Sequence, residues 1–220
     1  MQAKLKVTVF LVLSILSVLC FSVVASLIKG RWIAQFDSSV ISAVQGMESP
    51  WLTPIMHGFT FIGSTTVVVV ISLCCLFLFF KFLHHRLELV LFIVLVAGTA
   101  ILNKVLKFFF QRERPTLHRL IEETGYSFPS GHSMAAFALY AALSFLLWRH
   151  LPSKSGRTIV IVTSILMILM IGTSRIYLGV HYPSDILGAY LASGFWFTFC
   201  VWIFQWYMEN RTQKHRSSGR

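Results

Sequence analysis

The sequence predicts an all-α fold: an integral membrane bundle of six transmembrane helices with a site at the outer membrane face. Three observations predict it. The 220 residues are 56% hydrophobic and only 12% charged, about half the charged share of a soluble domain. Mean hydropathy is +0.73 and there are 20 phenylalanines, which leaves too little polar surface to cover a water-soluble globule. The apolar residues also fall in charge-free runs near the roughly 20 residues that a helix needs to cross the hydrocarbon core. Together these exclude a disordered chain, a coiled coil, a disulfide scaffold and an ordinary cytosolic enzyme. The whole chain, 1–220, reads as a single membrane domain.

The spans are expected at about 5–28, 58–81, 87–107, 131–149, 157–174 and 184–208. The first rests on Val7 to Ile28. It is too long for a signal-peptide core and no small-x-small cleavage site closes it, so it is expected to remain. The uncharged stretch Ser49 to Phe80 contains Pro50 and Pro54, so its helix is expected to start near Phe59. Leu89–Asn103, Ser133–Trp148 and Thr158–Ser174 are shorter runs, extended by flanking residues whose charges snorkel to the interface. Ile186 to Met208 supplies the last. Between the first two spans, Ile33, Phe36, Val40, Ile41, Val44 and Met47 recur at helical spacing, with Asp37, Ser38, Ser39 and Gln45 off the stripe. That pattern fits a short helix in the outer interface, and equally an amphipathic connector without a function. Residues 209–220 read as a disordered basic cytoplasmic tail.

Orientation follows from Lys and Arg. Six spans put both termini on one side, with the loops around 81–88 and 149–157, and that side holds 11 of the 19 Lys and Arg. The other side holds eight, with six of the eight acids. The termini are therefore expected in the cytoplasm. The formal +11 is mostly this topology signal plus attraction to anionic lipid, not a nucleic-acid footprint. Cys20, Cys74, Cys75 and Cys200 fall inside spans, without His or Asp at ligand spacing, so neither a disulfide framework nor a zinc site is expected. Gly188, Ala189 and Ala192 suit helix packing within one bundle or between copies, which leaves the oligomeric state open.

Polar residues are costly near a bilayer, so their clustering is informative. They gather in two outer connections. The first opens with Lys107-Phe-Phe-Phe-Gln-Arg-Glu-Arg114-Pro115. An isolated cation there would be a snorkelling helix end. Lys107 and Arg114, seven residues apart, can project from one helical face as an anion site with few acids to neutralise it. The same connection ends in Phe128-Pro129-Ser130-Gly131-His132, where an alanine-rich span begins. Ser130 suits an N-cap, Gly131 permits close approach, and a helix N-terminus attracts phosphate. The second connection runs from Ser174-Arg175 to His181-Tyr182-Pro183-Ser184-Asp185. Pro183 fits a first helical turn, from which Asp185 can reach back to His181. Such a carboxylate fixes the imidazole tautomer and frees the other nitrogen as a nucleophile. A capping Asp beside an incidental His gives the same spacing. Three cations, two histidines, a carboxylate and a Ser-Gly helix start suit transfer of a phosphoryl group without a metal, since no two acids are placed to share one.

These segments resemble the tripartite signature of the type-2 phosphatidic acid phosphatase superfamily, Lys-x6-Arg-Pro, Pro-Ser-Gly-His and Ser-Arg-x5-His-x3-Asp. All three are present without substitution, at Lys107–Pro115, Pro129–His132 and Ser174–Asp185. Short bacterial members, phosphatidylglycerophosphatase B-like and undecaprenyl-pyrophosphate phosphatase-like, are similar in size and layout. The resemblance implies that His181 attacks phosphorus with Asp185 orienting it. It implies that His132 protonates the leaving oxygen and then activates water. It further implies that Lys107, Arg114 and Arg175 hold the nonbridging oxygens, with the Ser130 hydroxyl and Gly131 N–H completing the cradle. No cofactor is implied, and the partner is a membrane lipid phosphate in the bilayer. Arg112, Arg119, Lys104 and His118 lie outside the signature and read as a solvated basic rim. Tyr126, Phe128 and Tyr182 suit either the entrance or the interfacial aromatic belt.

Overall fold

The computed structural model describes residues 2–28, 30–82, 86–116 and 118–218. Lys29 and Arg220, counted above for topology, lie outside the described residues, as does the end of the tail from 219. Among the described residues there are eight helices: α1 Gln2–Leu27, α2 Arg31–Gln45, α3 Leu52–Ile62, α4 Thr65–Phe82, α5 Arg86–Phe110, α6 Gly131–His150, α7 Lys154–Tyr177 and α8 Pro183–Ser218. Six of them contain stretches long and apolar enough to cross a membrane: Thr8–Leu27, Thr65–Phe82, Arg86–Phe110, Gly131–His150, Lys154–Tyr177 and Pro183–Arg211.

Two expectations are corrected. The stretch assigned to one helix over 58–81 is two helices, α3 and α4, broken at Gly63 and Ser64. Pro54 does not delay α3 because it lies in the first turn, where a missing N–H costs nothing. Gly63 caps α3 and the Ser64 backbone carbonyl accepts from Val68 N–H to open α4. The region from 209, read as a disordered tail, continues α8 as helix to Ser218; no Gly or Pro interrupts it before Gly219.

The bundle is organised around α6 and α8. α8 packs along α1, and α6 packs against α5, α7 and α8. The core between them holds Phe92, Leu95, Leu139 and Leu146, all at most 1% exposed. A second cluster lies nearer the connections, where Phe128 is buried against Phe21, Met134, Ala189 and Ala192. Its ring lies 5.0 Å from that of Phe110 and 5.8 Å from that of Phe21. Phe128 is thus a core residue, not part of the entrance or belt. Gly188 makes room for it: a Cβ there would come within 2.4 Å of the Phe128 ring. The small residues of α8 therefore serve packing within one bundle. Outward faces such as Val12, Leu16 and Leu19 on α1, and Val70, Leu73 and Phe77 on α4, remain exposed, as lipid-facing surfaces do.

α2 and α3 shape the site end. α2 packs on α7 and α8, and α3 on α7. Asp37 does not lie off the apolar stripe of α2 as expected. Four residues from both Ile33 and Ile41, it shares their side of the helix and is 2% exposed, while Ser38 and Ser39 are exposed. The loops between α5 and α6 and between α7 and α8 are tied by Leu120 N–H to Leu178 O at 3.1 Å. Gly179 is required there. Its φ is +74°, and a Cβ would fall 1.8 Å from the His118 carbonyl oxygen.

Candidate active site

The site is assembled at the N-terminus of α8. Asp185 sits in the first turn and is fully buried. Its Oδ2 accepts the Tyr182 N–H at 2.9 Å and lies 3.2 Å from His181 Nδ1. The two readings of this carboxylate, helix cap and imidazole partner, are therefore both realised by one oxygen. On the other side of the ring, His181 Nε2 lies 3.2 Å from Arg114 Nη1. Since a guanidinium only donates, this network assigns the tautomer with Nδ1–H toward Asp185 and an Nε2 lone pair toward the cations. Burial, then the charges of Arg175, Arg114 and Lys107, hold the His181 pKa well below its usual value against the opposing pull of Glu123. The ring is neutral at neutral pH, the form a nucleophile requires.

Arg114 does not share a helical face with Lys107, as the sevenfold spacing suggested. α5 ends at Phe110 and Gln111 takes φ 45°, while Pro115 disfavours helical geometry at the residue before it. Arg114 instead folds back from the loop. It donates from Nε to Gly125 O at 2.9 Å, from Nη2 to Thr124 O at 3.0 Å and from Nη1 to Val180 O at 3.0 Å. Lys107 stays near it from α5, with charge interactions to Arg114, Glu123, Asp185 and Arg175. Arg175, 1% exposed at the end of α7, donates to Thr60 Oγ1 of α3 and, at 2.5 Å, to Glu123 Oε1. Its Nε has no hydrogen-bond partner among the described residues, and an unpaired buried donor is costly.

His132 lies in the first turn of α6 and interacts electrostatically with Arg175, Glu123, His181 and Lys107. Ser130 is the N-cap: its Oγ accepts from Ser133 N–H at 3.4 Å and lies 3.0 Å from Ser133 Oγ. Ser130 N–H donates to Asp185 O, which joins the starts of α6 and α8. At Gly131 a Cβ would meet Asn103 Oδ1 at 3.2 Å, and Asn103 also holds the Pro129 carbonyl at 3.0 Å. All eight residues selected from the sequence, Lys107, Arg114, Ser130, Gly131, His132, Arg175, His181 and Asp185, therefore stand in one linked cluster. Among the described residues, no group of three or more His, Cys, Asp or Glu side chains is gathered to hold a metal ion.

Three charged residues of this region escaped the sequence reading. Glu123 pairs with Arg175 and lies 3.8 Å from Arg114, so the cations do have an internal acid. Burial alone would raise its pKa, but the charge and hydrogen bond of Arg175, with His132 and Arg114, hold it below the usual carboxylate range. Arg112 is not part of a solvated rim. It donates to Asp185 Oδ1 at 2.7 Å and to Asp37 Oδ2 at 2.8 Å, and stacks 4.1 Å from the centre of the Tyr182 ring. Asp37 was assigned to the polar side of a connector, yet it is the buried partner of Arg112. The available signal was its spacing, four residues from both Ile33 and Ile41, which puts an acid on the apolar stripe of α2. The rest of the rim lies outside the cluster: Lys104 is exposed, His118 pairs with Glu48 at 2.7 Å and Arg119 bonds the Pro115 carbonyl.

The chain is similar to proteins of known family and structure. Residues 88–209 match the model of the PAP2 superfamily. Phosphatidylglycerophosphatase B of Bacillus subtilis (strain 168) is 34% identical over 179 residues, 78% of this chain and 85% of that one. A protein of Escherichia coli (strain K12) provisionally named undecaprenyl-diphosphatase YbjG is 30% identical over 66% of this chain and 70% of its own length. The crystal structure of a transmembrane PAP2-type phosphatidylglycerolphosphate phosphatase from Bacillus subtilis superposes with a TM-score of 0.79 at 28% identity, covering 85% of this chain and 93% of that one. A family match over more than half of the sequence, carried on the same helical frame, establishes that the chain belongs to the PAP2 superfamily.

Proposed function

We propose that the protein is a metal-independent phosphatase of membrane lipid phosphates that works through a phosphohistidine on His181. The observation that carries this reading is the imidazole of His181, with Nδ1 on Asp185 and Nε2 3.2 Å from Arg114 Nη1. A neutral ring held that way offers its lone pair to a phosphorus bound among Lys107, Arg114 and Arg175. The Nε2–P bond forms as the bond from phosphorus to the lipid oxygen breaks, and His132 gives that oxygen its proton. Asp185 stabilises the cationic phosphorylated ring. His132 then takes a proton from water, the water oxygen attacks phosphorus, and the N–P electron pair returns to Nε2 as inorganic phosphate leaves.

The three cations, with the Gly131 N–H and the Ser130 cap, stabilise charge that spreads over the phosphoryl oxygens. One such donor is worth roughly 10²–10³ in kcat. The Arg175 Nε, unpaired among the described residues, is a donor suited to one of these oxygens. The substrate class is a phosphomonoester or diphosphate at the end of a lipid. The names of the two relatives support phosphatidylglycerophosphate, converted to phosphatidylglycerol, and undecaprenyl pyrophosphate, converted to undecaprenyl phosphate. The chains remain in the bilayer while the head group enters from the extracytoplasmic face, with 1–220 as one membrane domain and the basic end in the cytoplasm. Selective labelling of a cysteine at position 118 from outside intact cells is expected; labelling only from inside reverses the orientation.

The chemistry is tested by phosphate release from lipid phosphates in detergent containing EDTA. We expect turnover by the native chain and a loss of about 10⁴-fold or more in His181→Ala, with unchanged thermal unfolding. Orthovanadate is expected to compete with substrate. Retained turnover in His181→Ala, or a strict magnesium requirement, refutes the route.

A further inference from the structure

We propose that Arg112 and Asp37 are positioning residues that hold Asp185 against His181, so that helix α2 is part of the reaction machinery. The proposal rests on the reading of His181 as the nucleophile. Asp185 is fully buried and its two oxygens have divided tasks. Oδ2 faces His181 Nδ1 and the Tyr182 N–H. Oδ1 is held by Arg112 Nη1 at 2.7 Å, shorter than the 3.2 Å contact to the ring. The guanidinium thus fixes the plane of the carboxylate and sets which oxygen faces the imidazole.

Arg112 is itself fixed. A long cation alone would lose much of its precision to rotamer freedom, but its planar fork is held between two carboxylates. Nη1 also donates to Ser184 Oγ at 2.7 Å, and Nη2 donates to Asp37 Oδ2 at 2.8 Å. Asp37, 2% exposed on α2, accepts the Ser184 N–H on Oδ1 at 2.8 Å and the Ser184 hydroxyl on Oδ2 at 2.7 Å. It therefore serves the first turn of α8 as a cap supplied from another helix. Two buried carboxylates with no cation would be prohibitively desolvated; one guanidinium between them makes both tenable. The consequence for catalysis is specific. When Nε2 becomes bonded to phosphorus the ring turns cationic, and an ionised Asp185 aimed at Nδ1–H stabilises that state more than the neutral ground state. Arg112 and Asp37 bond Asp185, Ser184 and each other and not His181, so their contribution is expected in kcat and not in substrate affinity.

The test is steady-state kinetics on full-length Arg112→Gln, Arg112→Lys, Asp37→Asn and the Asp37→Asn/Arg112→Gln pair, with His181→Ala alongside. We expect Arg112→Gln to lower kcat on the order of 10- to 100-fold with KM and inhibition by inorganic phosphate within about twofold. Arg112→Lys should recover part of that loss. Asp37→Asn should lower kcat by about five- to tenfold, and the double variant should be no worse than Arg112→Gln, because the two act through one another. A normal kcat in Arg112→Gln, a loss confined to KM, or additive losses in the double variant overturns the proposal. If Arg112→Gln is not monodisperse, Asp37→Asn decides, and its normal kcat is then the refuting result. An active His181→Ala would instead refute the reading of the nucleophile on which the proposal rests.

Discussion

Both ends of the bundle bury a carboxylate against basic side chains, yet only one end carries more donors than its acids satisfy. At the end opposite the site, Glu88 of α5 is 3% exposed, with Arg149 Nε at 2.9 Å on one oxygen and His150 Nε2 at 2.6 Å on the other. The Arg149 guanidinium also covers the Phe145 and Phe204 rings. One acid satisfies two partners, and the cluster ties α5 to α6. At the other end Arg112, Arg114, Arg175 and Lys107 face Asp37, Glu123 and Asp185, and the Arg175 Nε has no partner among the described residues. The difference teaches that buried ion pairs do not by themselves mark a site. What marks it is a surplus of donors beside an imidazole whose second nitrogen is aimed at them.

The largest test of that contrast is at the surplus itself. Arg175→Ala is expected to lower kcat by about 10²–10³-fold, measured as phosphate release; a variant within about threefold of the native rate would erase the distinction. A second test uses pH. An ordinary histidine loses its lone pair as pH falls through about 6.5. Burial and the neighbouring cations hold His181 well below that value, so the ring stays unprotonated there and kcat should persist below 6.5 before falling. The same sign applies to stability: the unfolded chain takes up a proton near 6.5 that the folded ring refuses, so this contribution is full above 6.5 and declines below it. An acid limb of kcat at or above 6.5 would contradict the assignment. The smallest effect on activity is expected at the opposite end. Glu88→Gln should leave kcat within about twofold while lowering stability by about 1–3 kcal/mol, read from thermal unfolding in detergent; a matching fall in kcat would show that the two ends are not independent.

Composition and charge-free length made the six apolar helices legible, because hydrocarbon imposes a fixed thickness and forces backbone hydrogen bonding inside each span. The break at Gly63 and Ser64 was also written locally, as a helix-ending glycine followed by a capping serine, but it lay within a run whose apolar character hid it. The eight signature residues were legible because their chemistry is expensive at a membrane face and their spacings are short-range. Asp37, Arg112 and Glu123 were not, since each gains its role from a partner far along the chain: Asp37 and Arg112 are 75 residues apart, and Glu123 and Arg175 are 52 apart. The periodicity of α2 marks an apolar stripe, but Asp37, four residues from both Ile33 and Ile41, lies within that stripe and not with the exposed Ser38 and Ser39, and no local pattern says that it meets the start of α8.

The amino-acid sequence alone thus determined the bilayer as solvent, the helical class and the residue types able to bind and transfer a phosphoryl group, since these depend on local burial cost and short-range spacing. Only the tertiary structure decided that Arg114 returns from a loop and that an acid on α2 braces Asp185. It also set which nitrogen of His181 faces the cations. Those outcomes depend on which helix ends meet, a property of packing between segments far apart in the chain that no local pattern encodes.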